Sequence, residues 1–204
     1  MKGRGGNERE VGPSSATVGN DAVYIVNRAG SEVCVVDART LERTDCSSLP
    51  ASPDGLAWVA TTREVWVTAP RDGSIRVLDA KGGAAPSVAG RIPVAHPEGY
   101  AVDPGRGLFY TNVEEEDRTA VIDVRRRAVV ASWAAGCGAG GPRGLALDTK
   151  RRHLFVACPH SVRVLDAGKN GALLGEIEVG EGPAISTIWR PDTRSTRRRA
   201  GPGP

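Results

Sequence analysis

The chain has 204 residues, of which 40% are hydrophobic, with 26 glycines, 14 prolines, one methionine and a formal net charge of +3. Residues 190–204 hold five arginines against one aspartate, so the body of the chain is near neutral and lacks the basic face that nucleic acid needs. No run approaches the roughly eighteen apolar residues of a membrane span. These features predict a turn-rich, soluble chain without a nucleic-acid partner or a membrane span.

A repeat organises the sequence. An apolar pair followed by aspartate recurs at steps of 42, 44 and 43 residues: Val35-Val36-Asp37, Val77-Leu78-Asp79, Val121-Ile122-Asp123 and Val164-Leu165-Asp166. An apolar residue followed by an aromatic one precedes each of them: Val23-Tyr24, Val65-Trp66, Leu108-Phe109 and Leu154-Phe155. A Pro-x-Gly turn opens three of the periods: Pro53-Asp54-Gly55, Pro97-Glu98-Gly99 and Pro142-Arg143-Gly144. Three anchors that keep one period indicate a repeat fold.

Each period predicts four short antiparallel strands. In chain order, a small-residue inner strand (55–60, 99–103, 144–148) is followed by a fully apolar second strand (65–68, 108–111, 154–157). A more clearly alternating third strand (74–79, 119–123, 162–166) and a weaker outer strand (128–133, 173–179) complete the unit. Four antiparallel strands in about 40–45 residues are typical of a β-propeller blade. The predicted fold class is therefore an all-β β-propeller of about four blades.

The blade boundaries follow from the same period. The repeat predicts blades at 21–50, 51–94, 95–138 and 139–183, with a disordered N-terminal segment at 1–20 and a disordered Arg/Pro/Gly-rich tail at 184–204. The first blade is predicted to be incomplete, because nothing in residues 1–20 resembles the glycine-led inner strand.

The repeat resembles that of the YVTN-repeat (YncE-like) β-propeller family over about residues 21–182. The resemblance is carried by Val65-Trp66-Val67-Thr68, by Phe109-Tyr110-Thr111-Asn112 and by the two later Pro-x-Gly stretches. It implies a ring of about seven blades, so four blades would form an open arc with exposed apolar flanks that promote self-association. The alternative is a compact four-blade ring, which requires different angles between the blades. It also implies export to the periplasm or the outside of the cell, although residues 1–10 carry no apolar segment of a signal peptide.

The four cysteines fall into two candidate pairs. Cys34 and Cys46 lie at equal distances from Thr40, the centre of a predicted hairpin, which makes them direct cross-strand partners. Cys137, in the link that leaves the third blade, and Cys158, at the end of a fourth-blade strand, would staple adjacent blades. The pairs are either two disulfides formed in an oxidising compartment or four reduced thiols. Zinc is not predicted, because there is no C-x-x-C pair or nearby histidine set.

The candidate binding residues lie at the Pro-x-Gly turns. Asp54, Glu98 and Arg143 each precede an inner-strand glycine, so all three are expected near one rim of the central channel. His96 precedes the second of these turns and would lie at the channel mouth. The set is either a polar binding surface or a group of solvent-facing turn residues.

Other motifs carry little chemistry. The acidic run 114–117 fits no known calcium cage and is typical of a solvated loop, and Arg125-Arg126-Arg127 is typical of solubilising edge charges in a hairpin turn. The glycine-rich stretch 136–141 lacks the Gly-Lys-Ser/Thr of a phosphate loop, and there is no Gly-x-Ser-x-Gly nucleophile motif. No catalytic residue, metal or cofactor is therefore predicted.

These observations favour a non-catalytic, truncated propeller that acts as a binding or scaffold protein and takes an unknown protein or small molecule at its rim. One alternative is a fragment of an oxidoreductase-like or lactonase-like propeller enzyme whose catalytic residues lie in other blades. Another is a non-functional remnant.

Overall fold

The computed structural model describes residues 12–82 and 85–180. These residues form sixteen strands and two single-turn 3-10 helices, Pro70–Asp72 and Glu114–Glu116. The strands are β1 Pro13–Gly19, β2 Ala22–Asn27, β3 Glu32–Asp37, β4 Arg43–Ser48, β5 Leu56–Val59, β6 Glu64–Ala69, β7 Ser74–Asp79, β8 Ser87–Pro93, β9 Pro97–Asp103, β10 Leu108–Val113, β11 Arg118–Asp123, β12 Ala128–Ala134, β13 Leu145–Asp148, β14 His153–Ala157, β15 Ser161–Asp166 and β16 Ala172–Glu178.

The strands make four sheets, and each sheet contains four consecutive strands in sequence order. All pairings are antiparallel. The prediction of an all-β chain with four four-stranded blades is therefore confirmed. The inner strands β1, β5, β9 and β13 lie side by side in that order. Among the described residues, β13 and β1 have no comparable contact, so the blades form an open arc.

The first blade is complete, and the prediction of an incomplete blade after a disordered segment 1–20 is wrong for the residues from Gly12 onward. Pro13–Gly19 pairs with Ala22–Asn27 as the inner strand of this blade. Thr17 faces Tyr24 just as Ala57 faces Trp66 in the second blade. This register places Ser15 where the other blades have their turn glycine, so the missing glycine concealed the strand. Residues 1–11 and the predicted tail at 184–204 lie outside the described residues.

One of the sequence anchors is shifted by one residue. In the second blade Glu64 faces Asp79, and in the third blade Leu108 faces Asp123. The pair equivalent to Val65-Trp66 is therefore Phe109-Tyr110, and the prediction that it is Leu108-Phe109 is wrong. Since neighbouring residues of a strand point to opposite faces, the shift decides which aromatic ring faces the next blade. The four forward-facing rings are those of Tyr24, Trp66, Tyr110 and Phe155.

The core consists of three layers, one between each pair of adjacent blades. Tyr24, Val65 and Val67 pack between the first and second blades. Trp66 meets Phe109 between the second and third blades, with ring centroids 5.0 Å apart. Tyr110 and Trp133 face the fourth blade in the third layer. Apolar burial of this kind, at about 25 cal/mol per Å², holds successive blades together.

The forward face of the fourth blade has no such layer on it in the described structure. Its apolar residues occupy the positions that are fully buried in the second blade, where Trp66 is 0% and Ile92 is 1% exposed. In the fourth blade Phe155 is only partly buried and Ile177 is 51% exposed. This face is an exposed apolar flank of the kind that the sequence predicts. No helix in the described ranges is long and apolar enough to cross a membrane.

Two register-equivalent tyrosines provide a matched test of this packing. Tyr110 is 0% exposed, its hydroxyl has no hydrogen-bond partner among the described residues, and burial raises its pKa to about 12. Tyr24 is equally buried, but the Asn20 side chain lowers the pKa of its hydroxyl and so offsets part of the effect of burial. We expect Tyr110→Phe to raise the free energy of unfolding by about 1 kcal/mol and Tyr24→Phe to lower it. Urea unfolding of the two variants measures both effects, and a loss of stability in Tyr110→Phe would contradict the assignment.

Candidate functional site at the rim

The inner strands begin at one end of the arc, here called the rim. The Pro-x-Gly positions are equivalent in register, so Ser14, Asp54, Glu98 and Arg143 lie at or just before the start of the inner strand in the four blades. Contacts between successive turns confirm that their starts are adjacent: the Ser14 hydroxyl donates to the Asp54 carbonyl at 2.6 Å, and the Gly99 N–H donates to the Arg143 carbonyl at 2.9 Å. The structure therefore brings Asp54, Glu98 and Arg143 to the same rim.

Four charged side chains act on the pKa of Glu98. Burial raises the pKa of the Glu98 carboxyl, and the negative charges of Asp54 and Glu114 raise it further. The charges of Arg143 and Arg28 act in the opposite direction. These five side chains, Arg28, Asp54, Glu98, Glu114 and Arg143, are called the rim cluster below. A carboxylate that is half-buried between two others is costly to keep charged unless a cation joins it.

The outer members of the rim cluster form two ion pairs. The Arg28 guanidinium lies 3.1 Å from Asp54, and the Arg143 guanidinium lies 3.0 Å from Glu114. Glu98 makes no ion pair or side-chain hydrogen bond with the described residues, so its pKa responds only to burial and to more distant charges. Within this part of the structure, Glu98 is the rim carboxylate that still lacks a partner.

Arg28 and the role of Glu114 were not predicted from the sequence. Both residues directly follow the second strand of their blade, after Asn27 and Val113. That position recurs in each period, as Pro70 and Pro159 in the other two blades, and it lies at the same end of the sheet as the Pro-x-Gly turn. This recurring position could have been recognised in the sequence. The ion pairs that Arg28 and Glu114 form with other blades could not.

His96 lies beside the rim cluster rather than within it. Its imidazole is 3.6 Å from the Glu115 carboxylate, and both side chains are largely exposed. The structure therefore separates His96 from the other three candidate residues by pairing it with the acidic loop.

Three of the four carboxylates in the acidic run 114–117 contact different parts of the chain. Glu114 binds Arg143, Glu115 faces His96, and the Asp117 carboxylate accepts hydrogen bonds from the N–H groups of Cys137 and Gly138 at 2.8 and 2.9 Å. The carboxylates point to separate neighbours and do not converge on one point. Asp117 fixes the link between the third and fourth blades.

Buried backbone contacts hold the turn that carries Arg143. Asn112 is 0% exposed, and its side-chain amide donates to the carbonyls of Arg143 and Gly144 at 2.9 and 3.3 Å. The Thr119 hydroxyl donates to the side-chain amide oxygen of Asn112, Oδ1, at 2.8 Å. The asparagine that ends the Phe109-Tyr110-Thr111-Asn112 stretch is thus a clamp from the third blade onto the fourth.

Tyr100 links the other inner strands. Its hydroxyl donates to the Leu56 carbonyl at 2.7 Å and lies 3.1 Å from the Ser15 hydroxyl. One side chain of the third blade therefore reaches the inner strands of the second and the first. Burial raises the pKa of Tyr100, so it stays protonated and able to donate.

The cysteines form two disulfides. Cys34 and Cys46 are direct register partners on β3 and β4, and Cys137 is joined to Cys158 between the third and fourth blades. The single cluster of potential metal ligands in the described ranges consists of Glu32, Cys34 and Cys46. Its two sulfur atoms are bonded to each other, so they are not thiolate ligands.

The inter-blade disulfide makes a measurable prediction. Cys137 and Cys158 are 21 residues apart, and closing a loop of that length stabilises a fold by about 3 kcal/mol. We expect the double variant Cys137→Ser, Cys158→Ser to lose about that much free energy of unfolding in urea titrations. Cys34→Ser with Cys46→Ser is the comparison, and peptide mapping without reductant verifies both links. Equal stability of the Cys137/Cys158 variant and the native chain would contradict the assignment.

Comparison with solved structures tests the architecture. No protein-family model matches the chain, and no curated protein matches it in sequence. Hydrazine synthase of Kuenenia stuttgartiensis superposes with a TM-score of 0.73 and 21% identity over 88% of this chain and 53% of its own. Virginiamycin B lyase of Staphylococcus aureus superposes with a TM-score of 0.68 and 15% identity, covering 84% and 57%. The fold is a β-propeller.

A third neighbour is itself named as a β-propeller domain. The β-propeller domain of Cps50 (Swd1) of Myceliophteria thermophila superposes with a TM-score of 0.62 and 13% identity, covering 76% of this chain and 51% of its own. The chain thus spans about half the length of these propellers. At such low identity the likeness establishes the fold alone.

Proposed function

We propose that the protein is a non-catalytic binding propeller whose rim cluster takes a ligand through a positively charged group. Glu98 carries this proposal, because it is half-buried, lies between two other carboxylates and has no cationic partner of its own in the described structure. An ammonium or guanidinium group at this point would relieve the repulsion and would be held by a charge-assisted hydrogen bond. Arg28 and Arg143 flank the position, so an anionic group on the same ligand would also find a partner.

The surrounding structure supports a preorganised site. The backbone next to Glu98 is tied to the fourth blade through Gly99, and the turn of Arg143 is clamped by Asn112. Rigid elements of this kind reduce the conformational entropy that binding would otherwise cost. The rim cluster is therefore built on strand ends and tight turns that do not have to rearrange.

NMR titration of the labelled protein with ethylammonium and ethylguanidinium tests the proposal. We expect saturable shifts of the amides at 97–100 and 143–145, and at least about tenfold weaker binding in Glu98→Gln. Glu116→Gln is the matched control, because Glu116 is exposed in the adjacent loop and lies outside the rim cluster. Equal binding by Glu98→Gln, or equal shifts with acetate, would refute the proposal.

The same substitution changes stability with pH. Because the folded protein raises the pKa of Glu98, this group contributes stability below its unfolded pKa of about 4.3, and the contribution is lost as the pH rises through the higher folded pKa. We expect Glu98→Gln to raise Tm at about pH 7 and the gain to disappear near pH 4. Thermal unfolding at both pH values measures this, with Glu116→Gln expected to show no such gain. An unchanged Tm at neutral pH would contradict the burial of the charge.

The enzyme alternative draws on the same carboxyl. A raised carboxyl pKa is also a feature of general acids, and one structural neighbour is a lyase. In that case Glu98→Gln would abolish turnover of a substrate that the native chain converts, and its pH–rate profile would follow the carboxyl titration. Binding of the cationic probes without conversion of any supplied lactone or lyase substrate favours the binding propeller.

We also propose that the protein resides in an oxidising compartment and that it self-associates. The two disulfides support an oxidising compartment, such as the periplasm or the exterior of the cell. The apolar forward flank of the fourth blade supports self-association.

A further inference from the structure

A second cluster of charged side chains lies at the end of the arc opposite the rim. The strands run antiparallel, so the turns between β5 and β6, after β7 and between β11 and β12 all lie at this end. They line an open pocket of about 520 Å³ between the second and third blades, a volume within the usual range for a small-molecule site. It is lined by Thr61, Thr62, Arg63, Glu64, Lys81, Arg125 and Arg127, and is called the basic pocket below.

The charge balance of the basic pocket is strongly positive. Four cationic side chains face one carboxylate among its lining residues. Lys81 is paired with Asp79 outside the lining at 3.0 Å, and Arg63 is hydrogen-bonded to Asn20 at 3.1 Å. Arg125 makes no ion pair or side-chain hydrogen bond within the described ranges. The pocket therefore attracts an anion, and a singly charged one would leave positive charge uncompensated.

Glu64 is a buried carboxylate in the wall of the basic pocket. It is 2% exposed, and both of its carboxylate oxygens accept hydrogen bonds. One oxygen accepts from Trp66 Nε1 at 2.8 Å and from the Thr62 hydroxyl at 2.9 Å. The other oxygen accepts from Arg127 Nη2 at 2.5 Å. Burying a carboxylate is costly, and the register-equivalent residues of the other blades are Ala22, Leu108 and His153. The buried charge is thus specific to the blade that forms the pocket.

The effect of Glu64 is to fix one guanidinium in place. Arg127 donates to Glu64 through one terminal nitrogen and to the Ala89 carbonyl through the other, at 3.2 Å. A guanidinium has five N–H donors, so donors remain available towards the pocket. A preorganised arginine beside further cations is a typical arrangement for binding phosphate oxygens.

We propose that the basic pocket binds the phosphate group of a small molecule or free phosphate, with Arg125, Arg127 and Lys81 as the main cationic contacts. Glu64 acts as a positioning residue for Arg127. This site is independent of the cationic ligand proposed for the rim, because it lies at the other end of the strands and takes the opposite charge.

Isothermal titration with inorganic phosphate and with glycerol 3-phosphate at constant ionic strength tests the proposal. We expect saturable binding of at least one probe, and at least about tenfold weaker binding in Arg125→Gln and Lys81→Gln. Arg126→Gln is the matched control, because Arg126 is equally exposed in the same turn but does not line the pocket. Tighter binding of glycerol 3-phosphate identifies an ester as the ligand, and tighter binding of inorganic phosphate identifies the free ion. Absence of saturable binding, or equal weakening by Arg126→Gln, would overturn the proposal, and neither result bears on the rim.

Discussion

Asn112→Asp is expected to lower the free energy of unfolding by about 3–5 kcal/mol, although it exchanges one amide nitrogen for an oxygen. The native side chain is fully buried and donates to two carbonyls of the next blade, at 2.9 and 3.3 Å. An aspartate would present an acceptor to both carbonyls. It would either carry a buried charge without a counterion or take up a proton.

The pH dependence identifies that cause. A carboxyl in this position would have a raised folded pKa, so the variant would keep more stability below the unfolded pKa of about 3.9 and would lose it as the pH rises. The deficit of Asn112→Asp relative to the native chain should therefore grow between about pH 4 and pH 7. Asn112→Ala loses the same hydrogen bonds without adding a charge, so its deficit should change less with pH.

Asn170→Asp is the matched control for the same change of chemistry. Asn170 lies exposed in the turn before β16 at a φ of 52°, a conformation that aspartate also tolerates. Urea unfolding should show a change of less than about 0.5 kcal/mol there. Comparable stability of the Asn112 and Asn170 variants would show that the asparagine clamp does not hold the fourth blade.

The fold could be predicted because the repeat is redundant. The Asp37, Asp79, Asp123 and Asp166 positions keep their period and their register in the structure, where each closes its strand opposite the start of the second strand. Apolar runs of strand length and clear turn residues separate the elements between them. Any one of these signals can fail in one blade without changing the architecture.

The two errors in the fold arise where a single residue type carried the prediction. The first inner strand was missed because Ser15 replaces the glycine of the Pro-x-Gly turn, although Pro13 keeps the proline. The aromatic pair of the third blade was assigned one residue too early because Phe109 and Tyr110 are both aromatic. Composition alone could not decide which of the two rings faces the fourth blade. Strand pairing with Val102 and Ala101 decides it.

The candidate site could be predicted in part. Asp54, Glu98 and Arg143 share one position in the repeat. Because equivalent positions of successive blades lie at the same end of the fold, all three residues could be placed at the rim. The ion pairs of Arg28 and Glu114 and the separation of His96 depend on distances between blades. A period along the chain contains no information about those distances. The link Cys34–Cys46 was accessible because both residues belong to one hairpin.

Gly99→Ala is expected to cost at least about 3 kcal/mol, because the added methyl group would meet backbone and not side chain. A Cβ atom there would lie 2.1 Å from the Arg143 carbonyl oxygen and 2.7 Å from the Gly144 Cα. The Gly99 N–H also donates to that carbonyl at 2.9 Å. The inner strands of the third and fourth blades would have to separate, with loss of this bond and of the Asn112 contacts.

Gly175→Ala is the matched control, since Gly175 lies within β16 and an added Cβ there has no atom within 4 Å. For a chain of this size, about 3 kcal/mol corresponds to a fall in Tm of roughly 6–12 °C, which thermal unfolding resolves easily. Rim binding should fall together with stability in Gly99→Ala, because Glu98 and Arg143 flank the contact that is forced apart. If Gly99→Ala unfolds at the same temperature as Gly175→Ala, the inner strands are not in contact at this point, and the rim cluster cannot be the compact site that its ion pairs describe.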